Sequence, residues 1–307
     1  MRRFLLGRLL EIVPTLFLVA TLTFFMLRLA PGGPFSGAGQ RTIPPEVLKN
    51  IERHYGLDQP LWKQYLVQME HLAKGDLGPS YKYPTRTVGE LIGQAFPVSA
   101  ELGLWGLAVA LFLGIPVGIL SAARSGTFSD WGPMSAALLG ICLPSFVLGP
   151  LLIVVFAMGL GWFAPLGWFG WQDRVLPALT LGIGGAAVLA RMTRSGMLEV
   201  LSQDFIRTAR AKGVSEVRIV LGHALRSGLT PVLSFMGPLI ADVLTGSFIV
   251  EMIFQIPGLG RFFVNAAFNR DYTMVLGTVL FYALLLLLMN VVFDLVLRLL
   301  NPRLRHD

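Results

Sequence analysis

The sequence predicts an all-α, polytopic membrane protein with six transmembrane helices. Three observations carry that prediction. Of 307 residues, 54% are apolar or aromatic and only 14% are charged, where ordinary soluble domains carry roughly 25% charge. A spanning helix takes about 20 apolar residues, and six separate apolar runs of roughly that size are spaced along the chain. Lys and Arg outnumber Asp and Glu by 25 to 18, and on so apolar a chain that surplus marks cytoplasmic flanks better than it marks nucleic-acid binding. An average soluble enzyme is excluded. The single cysteine, Cys142, excludes a disulfide framework or a Cys-based metal site within the chain.

The first run covers 9–29, behind Arg2, Arg3 and Arg8. A basic start before an apolar run also describes a cleaved signal peptide. This run is long for such a segment, and Ala30 is followed by Pro31, so an uncleaved first span is expected. Residues 31–96 are polar and hold two short helix patterns. The first follows Pro44-Pro45, with Val47, Leu48 and Ile51 on one side, and stops at Gly56. The second starts at Pro60, a favourable first helical position. It puts Leu61, Tyr65, Leu66, Met69 and Leu72 on one face and ends at Lys74-Gly75. Both are too short and polar to span, and a small extramembrane layer is expected.

The remaining apolar runs cover about 97–122, 131–158, 176–192, 231–253 and 274–298. Pro144 and Pro150 interrupt the run at 131–158, which a bundle tolerates because neighbours satisfy the freed backbone groups. Gly182, Gly184, Gly185, Ala186 and Ala187 crowd the run at 176–192. Small residues at that density let helices approach closely, so this span is expected in the interior. Orientation follows from the cations: Arg2, Arg3 and Arg8 at the start; Arg191, Arg194, Arg207, Arg210, Lys212, Arg218 and Arg226 after the fourth span; Arg298, Arg303 and Arg305 at the end. Six spans place all three groups on one side, which the excess of Lys and Arg marks as cytoplasmic. The expected organisation is therefore a cytoplasmic N-terminus and first span over 1–30 and an extracytoplasmic segment over 31–96. A transmembrane core over 97–298 contains a cytoplasmic loop at 193–230, and a cytoplasmic tail covers 299–307.

No G-x-x-x-x-G-K-[ST] phosphate loop is present. His54, His71, His223 and His306 have no metal-ligand spacing, and no nucleophile and base fall credibly together. The residues therefore show no reactive constellation and no cofactor site of the chain's own, and if transport here uses ATP another polypeptide must bind it. The informative segment is the loop at 193–230. It contains Asp204-Phe205-Ile206-Arg207-Thr208-Ala209-Arg210-Ala211-Lys212-Gly213-Val214-Ser215, then a second helix pattern to Gly228. Gly213 suits the position just past a helix end and Ser215 suits the cap of the next helix, giving two short helices joined by a tight bend. On physical grounds two readings stand side by side. One is a basic surface helix held by anionic lipid; the other is a slim helix, with Thr208, Ala209 and Ala211, lodged in a protein groove.

This segment resembles the loop of binding-protein-dependent ABC importer permeases whose pattern is Glu-Ala-Ala, three residues, Gly, nine residues, Ile-x-Leu-Pro. Counting from Gly213, Arg207, Thr208 and Ala209 stand on Glu-Ala-Ala, and His223, Leu225 and Arg226 stand on Ile, Leu and Pro. Only Ala209, Gly213 and Leu225 match that general pattern. The departures look like the oligopeptide/dipeptide (peptide/nickel) branch, where R-T-A-R-A-K-G and H-A-L-R are usual. Other branch-like segments are Leu29-Ala30-Pro31-Gly32, Tyr55-Gly56-Leu57-Asp58-Gln59-Pro60, Gln64-Tyr65 and Gly75-Asp76-Leu77-Gly78-Pro79-Ser80. Later come Glu251 with Phe254 and Ile256-Pro257-Gly258-Leu259-Gly260-Arg261, then Asp271-Tyr272 and Asn301-Pro302-Arg303. Asn301 departs from the Asp usual there.

The resemblance implies the type I permease fold, a transport subunit and not an enzyme, and a division of labour. Two permease subunits, here a heterodimer with a second permease, work with two ATPase subunits and an extracytoplasmic peptide-binding protein in a bacterial inner membrane. ATP and Mg²⁺ belong to the ATPases, and the remaining expected partner is membrane lipid, not nucleic acid. The helix before the loop glycine would seat in a groove on the ATPase, so the resemblance assigns coupling to Asp204, Phe205, Arg207, Thr208, Ala209, Arg210, Ala211, Lys212 and Gly213. A side chain at the bend, as in Gly213→Asp, is expected to displace the helix and uncouple hydrolysis from uptake. Nickel, glutathione and other peptide-like solutes stay open as cargo. A self-sufficient secondary transporter is the alternative of a different class, but no convincing inverted repeat is seen.

Charged residues inside spans each cost about 2.5–3.5 kcal/mol on insertion scales. Glu101, Arg191, Asp242, Glu251 and Asp294 are of this kind, while Glu11 and Arg28 lie nearer span ends. Asp242, Glu251 and Asp294 are candidates for the translocation cavity. Asp242, deepest in its run, reads either as a holder of a peptide's cationic amino terminus or as an interhelical partner. Glu251 and Asp294 read equally as structural. The Pro257-Gly258-Leu259-Gly260 turn is expected outside, either shaping the cavity mouth or as ordinary loop geometry. Trp162, Phe163, Trp168, Phe169 and Trp171 are better read as an aromatic belt than as a peptide-stacking site.

Overall fold

A computed structural model describes residues 2–30, 32–35, 45–83 and 85–300. Pro31, Pro44 and the 301–307 tail, with Asn301, Pro302, Arg303 and Arg305, lie outside them. The described chain is helical, and its only extended pairing is an isolated bridge between Pro79 and Thr87. In order come α1 (Arg2–Leu29), α2 (Pro45–His54), α3 (Leu61–Ala73), α4 (Val88–Ala123), α5 (Phe128–Cys142) and α6 (Ser145–Leu152), which a π-helical segment, Ile153–Gly159, continues. Then follow α7 (Gln172–Leu201), α8 (Asp204–Ala211), α9 (Glu216–Arg218), a second π-helical segment (Ile219–Ala224) and α10 (Leu225–Gly228). The chain closes with α11 (Thr230–Ile253), α12 (Leu259–Asn269) and α13 (Tyr272–Leu300).

Among the described residues five helices are long and apolar enough to cross a membrane: α1, α4, α7, α11 and α13. The interrupted run at 131–158 is two helices bent by 110°. Pro144 causes the break, since its ring disfavours helical backbone at the preceding residue. Leu143 is extended (φ −88°, ψ 110°) and Pro144 continues extended (φ −60°, ψ 146°). Contacts down α7 count the bent pair as one crossing. Asp130 meets Arg194, Gly140 lies beside Ile183 and Ala187, and Gly149 lies beside Thr180. From residue 194 to residue 180, at 1.5 Å per residue, the pair descends about 21 Å of α7. A hairpin returning to its starting side would retrace that path.

Two compact units divide the chain: Met1–Pro97 with Gly258–Leu288, and Val98–Pro257 with Met289–Asp307. In the first, α3 lies along α1. The Arg28 Nε donates to Gln64 Oε1 (2.9 Å), and the Tyr65 hydroxyl is 2.9 Å from the Thr21 hydroxyl. The Tyr65 ring meets Phe24 edge-on and stacks on Phe25. The second polar helix thus packs on the apolar side of the first span instead of standing apart from it. An apolar cavity of about 560 Å³ lies between Val13, Phe17, Met69, Leu72, Phe281 and Leu284.

The loop at 75–87 is tied to the start of α13. Ser80, fully buried, donates to the buried Asp271 carboxylate (2.5 Å) and accepts from the Tyr83 amide (3.0 Å). Asp271 also accepts from the Met274 amide (3.1 Å), and Thr273 donates to the Pro79 carbonyl (2.6 Å). Two sequence segments 191 positions apart, Gly75–Ser80 and Asp271-Tyr272, are therefore one joint. Below it Val88, Leu91, Ile92 and Ala95 pack with Leu259, Ala266, Met274 and Val275.

In the second unit the interior position of α7 follows from side-chain size. A Cβ on Gly114 of α4 would stand 2.5 Å from the Ala186 carbonyl oxygen, and one on Gly118 would stand 2.5 Å from that of Ala190. Only glycine permits this backbone approach. With Ala110 against Gly185, α4 carries small residues every four positions (106, 110, 114, 118) facing the small residues of α7. On the other side Leu189 packs with Val232, Leu239 and Val243.

Candidate functional site

The segment 202–228 builds a small platform on the end of α7. The α8 helix has opposed faces: Ile206 and Ala209 are buried, joining Ala122, Met197, Val200, Ile219, Val220 and Ala224 in one apolar cluster. Outward point Asp204, Phe205, Arg207, Thr208, Arg210, Ala211 and Lys212, with Phe205 45% exposed. An aromatic ring exposed on a charged helix face has no role in the chain's own core. Of the residues assigned to coupling, Ala209 alone faces inward, so it seats α8 on its own subunit.

The helix end is made by backbone. The Gly213 amide donates to the Arg210 carbonyl (2.9 Å) and the Val214 amide to the Ala209 carbonyl (3.2 Å), with Gly213 at φ +77°. This is the paired closure that requires a left-handed residue just past the helix. A Cβ on Gly213 would meet nothing within 4 Å. Within this subunit the cost of a side chain there is therefore set by the backbone angle and not by a contact. Ser215 precedes α9 but makes no side-chain cap bond. The bend is instead closed by Arg210, whose Nε and guanidinium nitrogen donate to Glu216 at 2.8 and 3.2 Å. That pair holds the Glu216 carboxyl below its ordinary range and raises the Arg210 guanidinium, the hydrogen bonds being the leading cause of both. Two side chains not singled out in the sequence, Val217 (69% exposed) and Leu221 (55% exposed), present apolar surface four positions apart on the next helix. The signal was available in the pattern, since Ile219, Val220 and Ala224 fill the buried side.

The three cavity candidates do not form one cluster. Asp242 and Glu251 share α11 but are nine residues apart, about 14 Å along the axis, and Asp294 is on α13. Asp242 is on the exposed surface of the chain and Asp294 is half-buried. Glu251 is fully buried and accepts from Ser247 one turn earlier (3.1 Å), a placement inside the subunit and not on an open wall. Glu101 is paired too, taking Arg174 Nε at 2.6 Å and Trp168 Nε1 at 3.3 Å. Trp168 and Phe163 pack with Leu102, Leu176 and Phe254. The aromatic cluster therefore splits: Trp162, Phe169 and Trp171 are outward, and Phe163 and Trp168 are structural. Among the described residues no group of His, Cys, Asp and Glu could hold a metal ion.

The described chain is thus a bundle of apolar helices that carries a surface helix on a glycine-ended bend. The chain belongs to the binding-protein-dependent transport system inner membrane components: the model of that family matches residues 114–306, and the model of its N-terminal region matches residues 1–100. It is a multi-pass inner-membrane protein. The oligopeptide transport system permease protein OppB of Haemophilus influenzae is 45% identical, and OppB of Escherichia coli K12 is 44% identical, each over the whole of both chains. The dipeptide transport system permease protein DppB of Bacillus subtilis is 42% identical over 99% of this chain and 98% of its own. Among solved structures, the inward-facing MetNI methionine ABC transporter matches with a TM-score of 0.57, 18% identity, 69% of this chain and 96% of that chain. At that identity the likeness bears on the fold alone.

Proposed function

We propose that the chain is the membrane-spanning permease subunit of an ATP-driven ABC importer, forming half of a translocation pathway for peptides delivered by an extracytoplasmic binding protein. The observation that carries this reading is α8: a helix held to its own subunit by Ile206 and Ala209, with Phe205, Arg207, Thr208, Ala211 and Lys212 exposed toward a groove on an ATPase and Arg210 tied to Glu216 across the bend. Peptide cargo is supported by the oligopeptide and dipeptide relatives aligned over essentially the whole chain. ATP and Mg²⁺ bind to two separate ATPase subunits, and a second permease, of different sequence, completes the pathway. Both termini and the 193–230 loop are cytoplasmic, because the Lys and Arg clusters fall there.

In this mechanism ATPase closure displaces α8, and the bundle moves between two arrangements that expose the pathway to opposite sides. Nucleotide at a remote site biases that equilibrium through differential contacts. Asp242, on the chain's surface, is the remaining cavity candidate; with Glu251 internal, a peptide's cationic amino terminus meets at most Asp242 and Asp294. Purification of a stable complex with a second permease and ATPases is the expected result. Transport by this chain alone in proteoliposomes would overturn the reading in favour of a self-sufficient transporter.

A further inference from the structure

Ahead of the coupling helix, α7 carries Arg194, and its guanidinium does not reach toward solvent. The Nε donates to Asp130 Oδ1 (2.6 Å) and Nη2 to Asp130 Oδ2 (2.8 Å), a two-pronged pair. The Asp130 side chain is only 4% exposed. Its remaining acceptor sites are also taken: the Ser121 hydroxyl donates to Oδ1 and the Gly126 amide to Oδ2 (2.9 Å). A carboxylate offers about four acceptor positions, so Asp130 is saturated, by donors from three places: the last turn of α4, the turn at 124–127, and α7.

These partners adjoin the seat of α8. Ala122, next to Ser121, is in the apolar cluster that receives Ile206 and Ala209, and so are Met197 and Val200, one and two turns beyond Arg194. Gly118, one turn before Ala122, lies against Thr193, the neighbour of Arg194. Contact is thus continuous from α8 to the ends of α4 and α7, and from there through Asp130 to α5. Asp130 thus adds a buried ionic tie from the head of α5 to both α4 and α7, beside the packing of α5 along α7 and the exposed Arg124–Ser129 hydrogen bond of the turn.

We propose that Asp130 is a positioning residue for coupling: it locks the α4–α5 turn to α7, so that displacement of α8 moves α4, α5 and α7 as one body. The proposal rests on α8 being the docking element. The pair is a two-pronged, charge-assisted contact, the kind of link that transmits displacement with little slack, and α5 is the first arm of the bent pair that packs along α7.

The test uses the assembled transporter, with ATPases, second permease and binding protein, in proteoliposomes. Asp130→Asn keeps the shape and two acceptor sites but sets an amide against the guanidinium. It is expected to assemble and to hydrolyse ATP at close to the unsubstituted rate, while ATP hydrolysed per solute taken up rises about tenfold, within the range of coupling effects between sites. Arg194→Lys, which keeps the charge without the fork, is expected to fall between the two. A proportional loss of assembly, hydrolysis and uptake with an unchanged ratio would mean a merely structural role and overturn the proposal. Should Asp130→Asn not assemble, Arg194→Lys decides on the same ratio, raised or unchanged. Phe205→Ala in the same assay separates the two readings. If it too leaves the ratio normal, α8 is not the docking element; if it raises the ratio while Asp130→Asn does not, only the positioning role fails.

Discussion

Gly213 shows how one residue shapes the proposed coupling surface. At φ +77° any side chain costs about 1–2 kcal/mol of backbone strain, least for Asn and Asp, which visit this region most readily. Open space around the position leaves no steric contribution from its own subunit. The expected order of ATP hydrolysed per solute is therefore Gly213→Val well above Gly213→Asn, with Asn near normal; equal effects of Val and Asn would show that conformation is not the constraint. A second residue-scale expectation concerns the joint at Ser80. Removing its hydroxyl leaves the buried Asp271 carboxylate short of its closest donor, and a lost partner of a buried polar group costs about 1–3 kcal/mol. Ser80→Ala should lower the midpoint of thermal unfolding of the purified complex, while Thr85→Ala, at an exposed position of the same loop, should leave it unchanged.

At the scale of elements, the α4–α7 pairing depends on glycine in one place and not another. Gly118→Val would push a branched side chain into the Ala190 carbonyl and Thr193, and overpacking of this kind costs about 1–3 kcal/mol. Gly184→Ala, on α7 with nothing within 4 Å of the added carbon, should be neutral or gain up to about 1 kcal/mol of helix preference. Equal destabilisation of both, by thermal unfolding in detergent, would sink the close-approach account. These examples also show what the sequence carries. The interior site of α7 and the bend at Gly213 are legible because residue size and φ preference are local properties. The break at Pro144 is legible as a break, but its 110° angle is set by neighbours. That α3 has an apolar face is plain from Tyr65, Met69 and Leu72; that the face meets α1 is not, because amphipathic spacing names no partner. Asp130 is not marked in the sequence, because its partner Arg194 is 64 positions away, and for Glu251 the sequence leaves cavity and structural readings equal, while in the fold Ser247 and the surrounding core enclose it.

At the scale of the whole molecule, orientation turns on whether the bent pair crosses the membrane. If it crosses, six spans put 191–226 on the same side as the N-terminus, and the basic surface helix faces the ATPases. If it re-enters, five spans remain and the arginine-rich loop falls on the opposite side, against the distribution of Lys and Arg. The descent of the pair along α7, from Arg194 at Asp130 to Thr180 at Gly149, favours crossing. Cys142 is the only native cysteine, so a Cys142→Ser background permits single labels at Glu70→Cys, Ser125→Cys, Phe169→Cys and Ser202→Cys, all exposed positions. A membrane-impermeant maleimide applied to intact spheroplasts should label 70 and 169, and inside-out vesicles should expose 125 and 202. Labelling of 125 and 169 from one face, with 202 from the other, would make the pair a re-entrant hairpin and would also place α8 where no cytoplasmic ATPase can reach it.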